Sequence, residues 1–469
     1  MSNEALRETA LEILTRVGEN NSFSHLLMNQ AIEKKGLAHR DTGLLTEIVY
    51  GTLQRKVGLQ YLVAPFIVKQ KKLKPWVLWL LYMSVYQMKY LDRVPDHAVI
   101  HEAVEIAKKK GHKGIASMVN GVLRSMQRNG TRSFEEIEDP IERLATETSH
   151  PLWMVKRWVD MYGLEETKAM CFTNLETKSM SVRVNTTKYT RSEIIERLTE
   201  DEFDVEPSSL ANDGILIFKG NILKHELFRN GGLTIQDESS MLVGQHIGVS
   251  KGMEVLDACS APGGKTTHMA EYMDNEGNVT AYDLHEKKVR LVKQKAEQLG
   301  LTNVTTGAAD SRALRDKHDD HTFDRILLDA PCSGLGVVRG KPDIKYSKSE
   351  EDIKTLSRIQ RELLESVSPL LKEDGKLMYS TCTVDVQENE QVIQSFLQDH
   401  PEWEVDAAFF EELPEETKEL PGVSPFGLQL FPQDFDTDGF FLTRLKRRSD
   451  FHDGSNEARE HTSNETTKA

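Results

Sequence analysis

Asp257-Ala258-Cys259-Ser260-Ala261-Pro262-Gly263-Gly264-Lys265-Thr266-Thr267 follows a short apolar run, Glu254 to Leu256, and precedes a helical pattern. The stretch therefore reads as a tight turn from a strand into a helix. Its glycines allow close backbone approach to a ligand, with helix-terminal N–H groups turned toward it, which suits a carboxylate or phosphate. The same rhythm continues downstream, where Val279 to Tyr282, Val304 to Gly307, Arg325 to Leu328 and Lys376 to Tyr379 are apolar runs, each followed by a helical pattern. Strand and helix in alternation predicts a doubly wound, mostly parallel sheet that binds ligands at the carboxyl ends of its strands. Phe440-Phe441-Leu442-Thr443-Arg444-Leu445 reads as an added edge strand, which extends this α/β region over residues 233–446. Residues 447–469 are polar and rich in Ser, Asn and Glu, so disorder is expected there.

Upstream the pattern changes. Ser181-Val182-Arg183-Val184-Asn185 and Gly214-Ile215-Leu216-Ile217-Phe218 read as strands flanking a helix over Arg191 to Thr199. Helices around Leu152 to Tyr162 and near Glu165 to Asn174 precede them. A small α+β unit is expected over residues 151–232, with Cys171 as a small core residue. Residues 131–150 read as an acidic linker with a short helix. Residues 1–130 read as all-α: Leu44, Ile48, Val49, Leu53, Val57, Tyr61 and Leu62 recur at helical spacing, as do Val99, Ala103, Ile106 and Ala107.

At about 100–200 residues per domain, 469 residues make two to four domains. With 38% apolar and 28% charged residues, collagen-like and wholly disordered chains are excluded. The four cysteines include no C-x-x-C pair, so neither a disulfide scaffold nor a metal site is expected, and a reducing, cytoplasmic setting fits. Met1 to Asn20 carries four glutamates and no apolar run, unlike a secretory signal. The longest apolar stretch, Trp76 to Val85, falls short of the roughly 18 residues of a membrane span, so no membrane partner is expected.

The net charge of −15 conceals a split. Residues 1–130 hold 19 Lys and Arg against 11 Asp and Glu, a balance of +8 that points this helical domain toward RNA. Clusters occur at Lys69, Lys71, Lys72 and Lys74, and at Lys108, Lys109, Lys110 and Lys113. Pro401 to Pro421 holds eight carboxylates and one lysine and reads as a solvated face without function.

The first loop is not a nucleotide-triphosphate loop. Gly264-Lys265-Thr266 matches the end of a Walker motif, but that motif needs glycine where Cys259 stands, and no G-x-G-x-x-G is present. Asp283 ends the second strand at the spacing of a ribose-hydroxyl acceptor, and Asp310 follows the third. Acids at successive strand ends beside a Gly turn suit a nucleoside cofactor such as S-adenosylmethionine. Asp329-Ala330-Pro331-Cys332-Ser333-Gly334 and Ser380-Thr381-Cys382-Thr383 follow the last two strands and bring two cysteines to adjacent strand ends. Cytosine C5 is too weak a nucleophile to attack a sulfonium methyl group unaided, so a thiolate must first add at C6. The C5 proton must then leave so that the thiol can be eliminated, a task for a second group.

In this order the motifs A-P-G-G-K-T, D-A-P-C-S and S-T-C-T, from Gln236-Asp237-Glu238-Ser239-Ser240 to Gly439-Phe440-Phe441, resemble the RsmB/Nop2/Sun family of RNA 5-cytosine methyltransferases. The resemblance implies a Rossmann-like methyltransferase domain and an RRM-like middle unit. It implies that Cys382 is the nucleophile and that Cys332 assists release. It further implies that Cys259, Ser260, Ala261, Pro262, Gly263, Gly264, Lys265, Asp283, Asp310 and Asp329 bind S-adenosylmethionine, Asp329 also facing the target base. Arg40-Asp41-Thr42-Gly43-Leu44-Leu45-Thr46-Glu47-Ile48-Val49-Tyr50-Gly51 and Val119-Asn120-Gly121-Val122-Leu123-Arg124 look like a NusB-type RNA-binding domain. The expected substrate is one cytosine of 16S ribosomal RNA, naked or in an early assembly intermediate, and the default state is a monomer. The chain departs from its relatives at Gly340, where a second basic residue is common. The rivals are a cytosine of another RNA, a non-catalytic RNA-binding assembly factor, and a DNA methyltransferase in which the two cysteines would exchange roles.

Overall fold

A computed structural model of the chain describes residues 3–20, 24–35, 39–67 and 73–449. The expected disorder of the tail beyond residue 449, and the cluster at Lys69, Lys71 and Lys72, lie outside the described residues. The chain forms two compact units. One comprises Met1–Lys178 with Ser333–Asp352 and Phe431–Asp438, and the other comprises the remaining segments.

The first unit is helical. Asn3–Asn20, Ser24–Lys35, His39–Gln54, Lys56–Val63, Pro75–Tyr90, Asp96–Lys110 and Lys113–Asn129 are helices around one apolar core. Pro75 starts its helix at a position where a missing N–H costs nothing. That helix is buried almost all round, as its unbroken apolar sequence dictates. Gly51 lies mid-helix because the Tyr86 ring occupies the place of a side chain there, a built Cβ coming within 2.0 Å of the ring. Part of the basic surface is spent internally, with Lys108 paired to Glu105 and Lys109 to Glu8, each at 2.6 Å. Helices Pro140–Glu147, Leu152–Tyr162 and Leu164–Thr173 complete the chain-continuous part.

The segment Ser333–Asp352 belongs to this unit although it directly follows Cys332. Lys345 is wholly buried and donates to the Gln54 carbonyl at 2.9 Å. Burial pulls its ammonium down to about 7. Arg339 donates to the carbonyls of Glu176 and Thr177, both at 3.1 Å, and pairs with Asp436 at 2.5 Å.

In the second unit, β1 (Met180–Val184), β2 (Asp204–Pro207), β3 (Gly214–Lys219) and β4 (Leu233–Ile235) form an antiparallel sheet in the order β2-β3-β1-β4. Helix Arg191–Glu200, opened by a Thr190/Glu193 capping box, packs Ile194 and Leu198 on Val182, Val184, Ile215 and Ile217. β2 is acidic and mostly exposed, so it lacks the apolar alternation that marked its neighbours. β4 pairs with β1 rather than joining the region of alternating strands and helices to which the sequence reading assigns Leu233.

The large sheet contains β5 (Glu254–Asp257), β6 (Asn278–Asp283), β7 (Val304–Ala308), β8 (Phe323–Asp329), β9 (Leu371–Thr381), β10 (Trp403–Val405), β11 (Val423–Ser424), β12 (Gly427–Leu430) and β13 (Phe440–Arg447). Its order is β11-β12-β13-β9-β8-β5-β6-β7, with β10 also on β13. β5 to β9 pair in parallel, as expected. Three expectations for this region need correction. β13 is no edge strand: it pairs antiparallel with β9 on one side and with β12 and β10 on the other, and Phe440 to Leu445 are buried on both faces. After β7 there is only a 3-10 turn, Ser311–Asp316, because Ala313 and Leu314 are too few apolar positions to seat a full helix. The acidic run is also only partly solvated. Asp406 is buried, and Arg444, itself wholly buried, bonds Asp406 at 2.7 Å and Glu412 at 2.6 and 2.9 Å.

No helix of the described residues is long and apolar enough to cross a membrane.

Candidate active site

β5 ends at Asp257, 1% exposed, whose Oδ2 accepts from Thr266 Oγ1 at 2.6 Å, so the loop between them is tied across its base. Gly263 closes that loop with φ 99°, a left-handed conformation that glycine adopts freely. A Cβ there would sit 3.1 Å from Val292 Cα. The helix Gly264–Tyr272 starts immediately after it. From the four-stranded sheet, buried Arg183 donates to the Gly264 carbonyl at 2.7 Å and to Glu271 at 2.8 and 3.0 Å, and bonds the Gln236 amide. The small sheet thus braces the turn that opens this helix.

A cavity of about 450 Å³ lies at the carboxyl ends of β5 to β9, within the range of about 300–1,000 Å³ usual for small-molecule sites. Among the sequence-predicted residues, Cys259, Ala261, Asp283, Asp310, Asp329, Cys332 and Cys382 line it. Ser260, Pro262, Gly263, Gly264 and Lys265 do not; they shape the loop behind it. Asp283 accepts from the His285 N–H at 3.2 Å, with Lys288 at 3.9 Å. Leu284, 59% exposed, adds an apolar surface to the same wall. Asp310 caps its turn by accepting from Arg312 N at 3.0 Å, and the Arg312 guanidinium, at 2.7 Å, lowers its carboxyl below the ordinary value. A strand-end acid, an exposed apolar side chain and a turn without a Cβ together fit a nucleoside bearing a charged tail.

The deeper end carries the reactive groups. Cys332 Sγ and Cys382 Sγ lie 3.4 Å apart, both partly exposed. Asp329 is held from two sides, by Lys265 Nζ at 2.8 Å and by Ser380 Oγ at 2.8 Å. Lys265 also lies over the Phe440 ring, 5.0 Å from its centroid. Burial works to lower the Lys265 ammonium, but the charges of Asp329, Cys382 and Asp257 outweigh it and raise the group above its usual value. Burial pushes Asp257 up to about 7, and the Asp329 charge adds to the effect. Cys332 is raised well above the ordinary thiol, first by its hydrogen bond to Cys382, then by burial and by the charges of Cys382, Glu388 and Asp329. Burial, with the Asp257, Asp329 and Asp283 charges, also raises Cys259. Among the described residues no cluster of His, Cys, Asp or Glu could hold a metal ion.

Sequence reasoning passed over Arg183, Gln360, Glu388 and Phe440. A lone arginine between valines on β1 was a usable signal, since the alternate face of that strand had to meet something polar. Gln360 and Glu388 carried none, because Gln360 is one polar residue in an amphipathic helix and Glu388 one of several polar residues in a turn.

Comparison with known proteins places these features. A family model described as 16S rRNA methyltransferase RsmB/F matches residues 247–446. A NusB family model matches 4–128, and a ferredoxin-like domain model of RsmF/B-like methyltransferases matches 150–222. A probable ribosomal RNA small subunit methyltransferase B of Bacillus subtilis is 48% identical over 448 residues, covering 96% of this chain and 100% of that one. Ribosomal RNA small subunit methyltransferase B of Yersinia pseudotuberculosis is 32% identical over 449 residues, 94% of this chain and 99% of the relative. The crystal structure of PH0851 superposes with a TM-score of 0.79 at 26% identity, covering 95% of this chain and 99% of that one. A methyltransferase homologue from Pyrococcus horikoshii gives 0.57 at 28%, covering 66% and 100%. This chain belongs to the RsmB/F family of ribosomal RNA small-subunit methyltransferases, with NusB-like, ferredoxin-like and methyltransferase domains and S-adenosylmethionine as its cofactor.

Proposed function

We propose that the protein methylates C5 of one cytosine in 16S ribosomal RNA, with Cys382 forming a covalent bond to C6 and Cys332 assisting release. The observation that carries this reading is the pair of thiols 3.4 Å apart beside Asp329, at the deep end of the cofactor cavity. Both thiols are partly exposed and line the cavity, where a substrate base can reach them.

In this reading Cys259 to Lys265, Asp283, Asp310 and Asp329 hold S-adenosylmethionine, with Asp283 accepting from the ribose hydroxyls. The bound cofactor supplies an electrophilic methyl group on a sulfonium sulfur. Lys265 stands close enough to Cys382 for the two charges to interact, and a cation there favours the thiolate. The Cys382 thiolate adds to C6, and the electron pair displaced onto C5 forms the bond to the methyl group, whose former bond to sulfur breaks with its electron pair left on the departing neutral thioether. The C5 proton then leaves to Cys332, which serves as the second base. The electron pair of that C–H bond restores the C5–C6 double bond and expels Cys382 as thiolate. One proton is released per turnover. Asp329, fixed by Lys265 and Ser380, presents a carboxylate to the exocyclic amine of the base.

In this reading the helices of residues 1–130 bind RNA, the small sheet β1 to β4 forms a second RNA-contacting unit, and the large sheet β5 to β13 carries the catalytic site, in a cytoplasmic monomer. Cys382→Ala is expected to abolish transfer, and retained activity would remove it as nucleophile. Cys332→Ala is expected to stall a protein–RNA adduct, visible as a denaturant-resistant gel shift, and no shift would remove its role in release.

A further inference from the structure

Two chemically identical thiols with different tasks need different surroundings. Lys265 supplies a cation on the Cys382 side. On the Cys332 side stands a buried carboxylate to which no task has been given. Glu388 is wholly buried in the turn after β9, its backbone carbonyl accepting from Tyr379 Oη at 2.6 Å. Its Oε1 accepts from Gln360 Nε2 at 3.0 Å. The same nitrogen donates at 2.9 Å to the carbonyl of Pro331, the residue before Cys332. Gln360 is also wholly buried, and because both amide hydrogens go to acceptors, its orientation is determined by its partners.

We propose that Glu388, held by Gln360, is a positioning residue for methyl transfer: the pair fixes the peptide that carries Cys332 and so sets how the second thiol acts while Cys382 attacks. This rests on the assignment of Cys382 as nucleophile. The groups whose charges bear most on the Cys332 thiol are Cys382, Glu388 and Asp329, and each favours the protonated form. Cys382 is the largest influence on the Cys332 thiol, and it ceases to be a charged acceptor once its sulfur is bonded to C6. Cys332 can then release its own proton to water through the open cavity and receive the proton from C5. Glu388 and Asp329 remain, and a thiolate formed beside them is a stronger base. Glu388 thereby sets both the order of the two thiols and the basicity of the second.

The test reads Cys332 without RNA. In the full chain carrying Cys382→Ala, the rate of Cys332 alkylation by iodoacetamide is followed by peptide mass spectrometry across about pH 6–10, which brackets ordinary and raised thiols. Glu388→Gln in that background is expected to lower the ionisation midpoint by about one pH unit, and Glu388→Asp to leave it near the parental value. A midpoint unmoved in a Glu388→Gln protein that still binds S-adenosylmethionine overturns the proposal. Gln360→Leu is a second variant, which keeps the charge but frees the Pro331 carbonyl. It is expected to lower kcat for RNA methylation on the order of tenfold, the cost of a misplaced group, with KM unchanged. Unchanged kcat overturns the positioning role. Failure of the alkylation result counts against Glu388 alone. Absence of a protein–RNA adduct in Cys332→Ala with Glu388 and Gln360 intact counts against the reaction itself.

Discussion

Replacing Arg183 by alanine is expected to loosen the methyltransferase domain from a residue outside the cofactor cavity. Arg183 and Glu271 are 0% and 1% exposed, joined by bonds of 2.8 and 3.0 Å. Burial raises the Glu271 carboxyl, and the Arg183 charge is the main influence pulling it back. Removing the guanidinium leaves a buried carboxylate without its cation and the Gly264 carbonyl without its donor. Breaking a buried pair from one side costs about 3–5 kcal/mol. In a unit of this size each kcal/mol moves the melting point by about 2–4 °C, so a fall on the order of 10 °C is expected by calorimetry. S-adenosylmethionine affinity should fall as well, because Gly264 begins the helix behind the cofactor loop. The double variant Arg183→Met, Glu271→Leu removes both charges and is expected to recover most of the loss. A change in Arg183→Ala below about 1 kcal/mol, the range of an exposed pair, would refute the reasoning, as would a double variant no more stable than the single one.

Gly263→Ala places a Cβ 3.1 Å from the Val292 backbone at a left-handed φ of 99°, and the strain of about 1–3 kcal/mol should weaken cofactor binding roughly tenfold by titration calorimetry. Asp257 has a folded pKa of about 7 against an ordinary 3.8, so its contribution to stability is full below about pH 4 and is lost as pH rises toward 7. The melting-point advantage of the unaltered protein over Asp257→Asn should shrink across that window, and a constant difference would contradict the assignment. Lys345 is shifted the opposite way, to about 7 from 10.5, so stability should rise with pH between those values. Lys345→Met should flatten that slope in a pH series of thermal melts.

The adjacency of the two cysteines was legible because it follows from strand order alone. β8 and β9 are parallel with Asp329 opposite Ser380, so residues three and two positions beyond that pair come to the same strand ends. The parallel strands were equally plain, since strands covered on both faces are written as continuous apolar runs. What escaped reading depends on distant partners. Asp406 and Glu412 look like solvated acids until Arg444 of β13 is beside them, and Phe440 to Leu445 look like an edge until β12 and β10 pair with them. Ser333–Asp352 gives no local sign that it packs with the first unit, because Lys345 and Arg339 read as ordinary surface cations when their partners are unknown. Arg183, Gln360 and Glu388 are single polar residues whose roles come from the hydrogen bonds they complete.

The most direct test of the central claim is incubation of the full chain with labelled S-adenosylmethionine and unmodified 16S RNA, with the product mapped by bisulfite sequencing. The account predicts one 5-methylcytosine, absent with Cys382→Ala and replaced by a covalent protein–RNA adduct with Cys332→Ala. Label on any atom other than cytosine C5, or the same methylated base formed by Cys382→Ala, would contradict it.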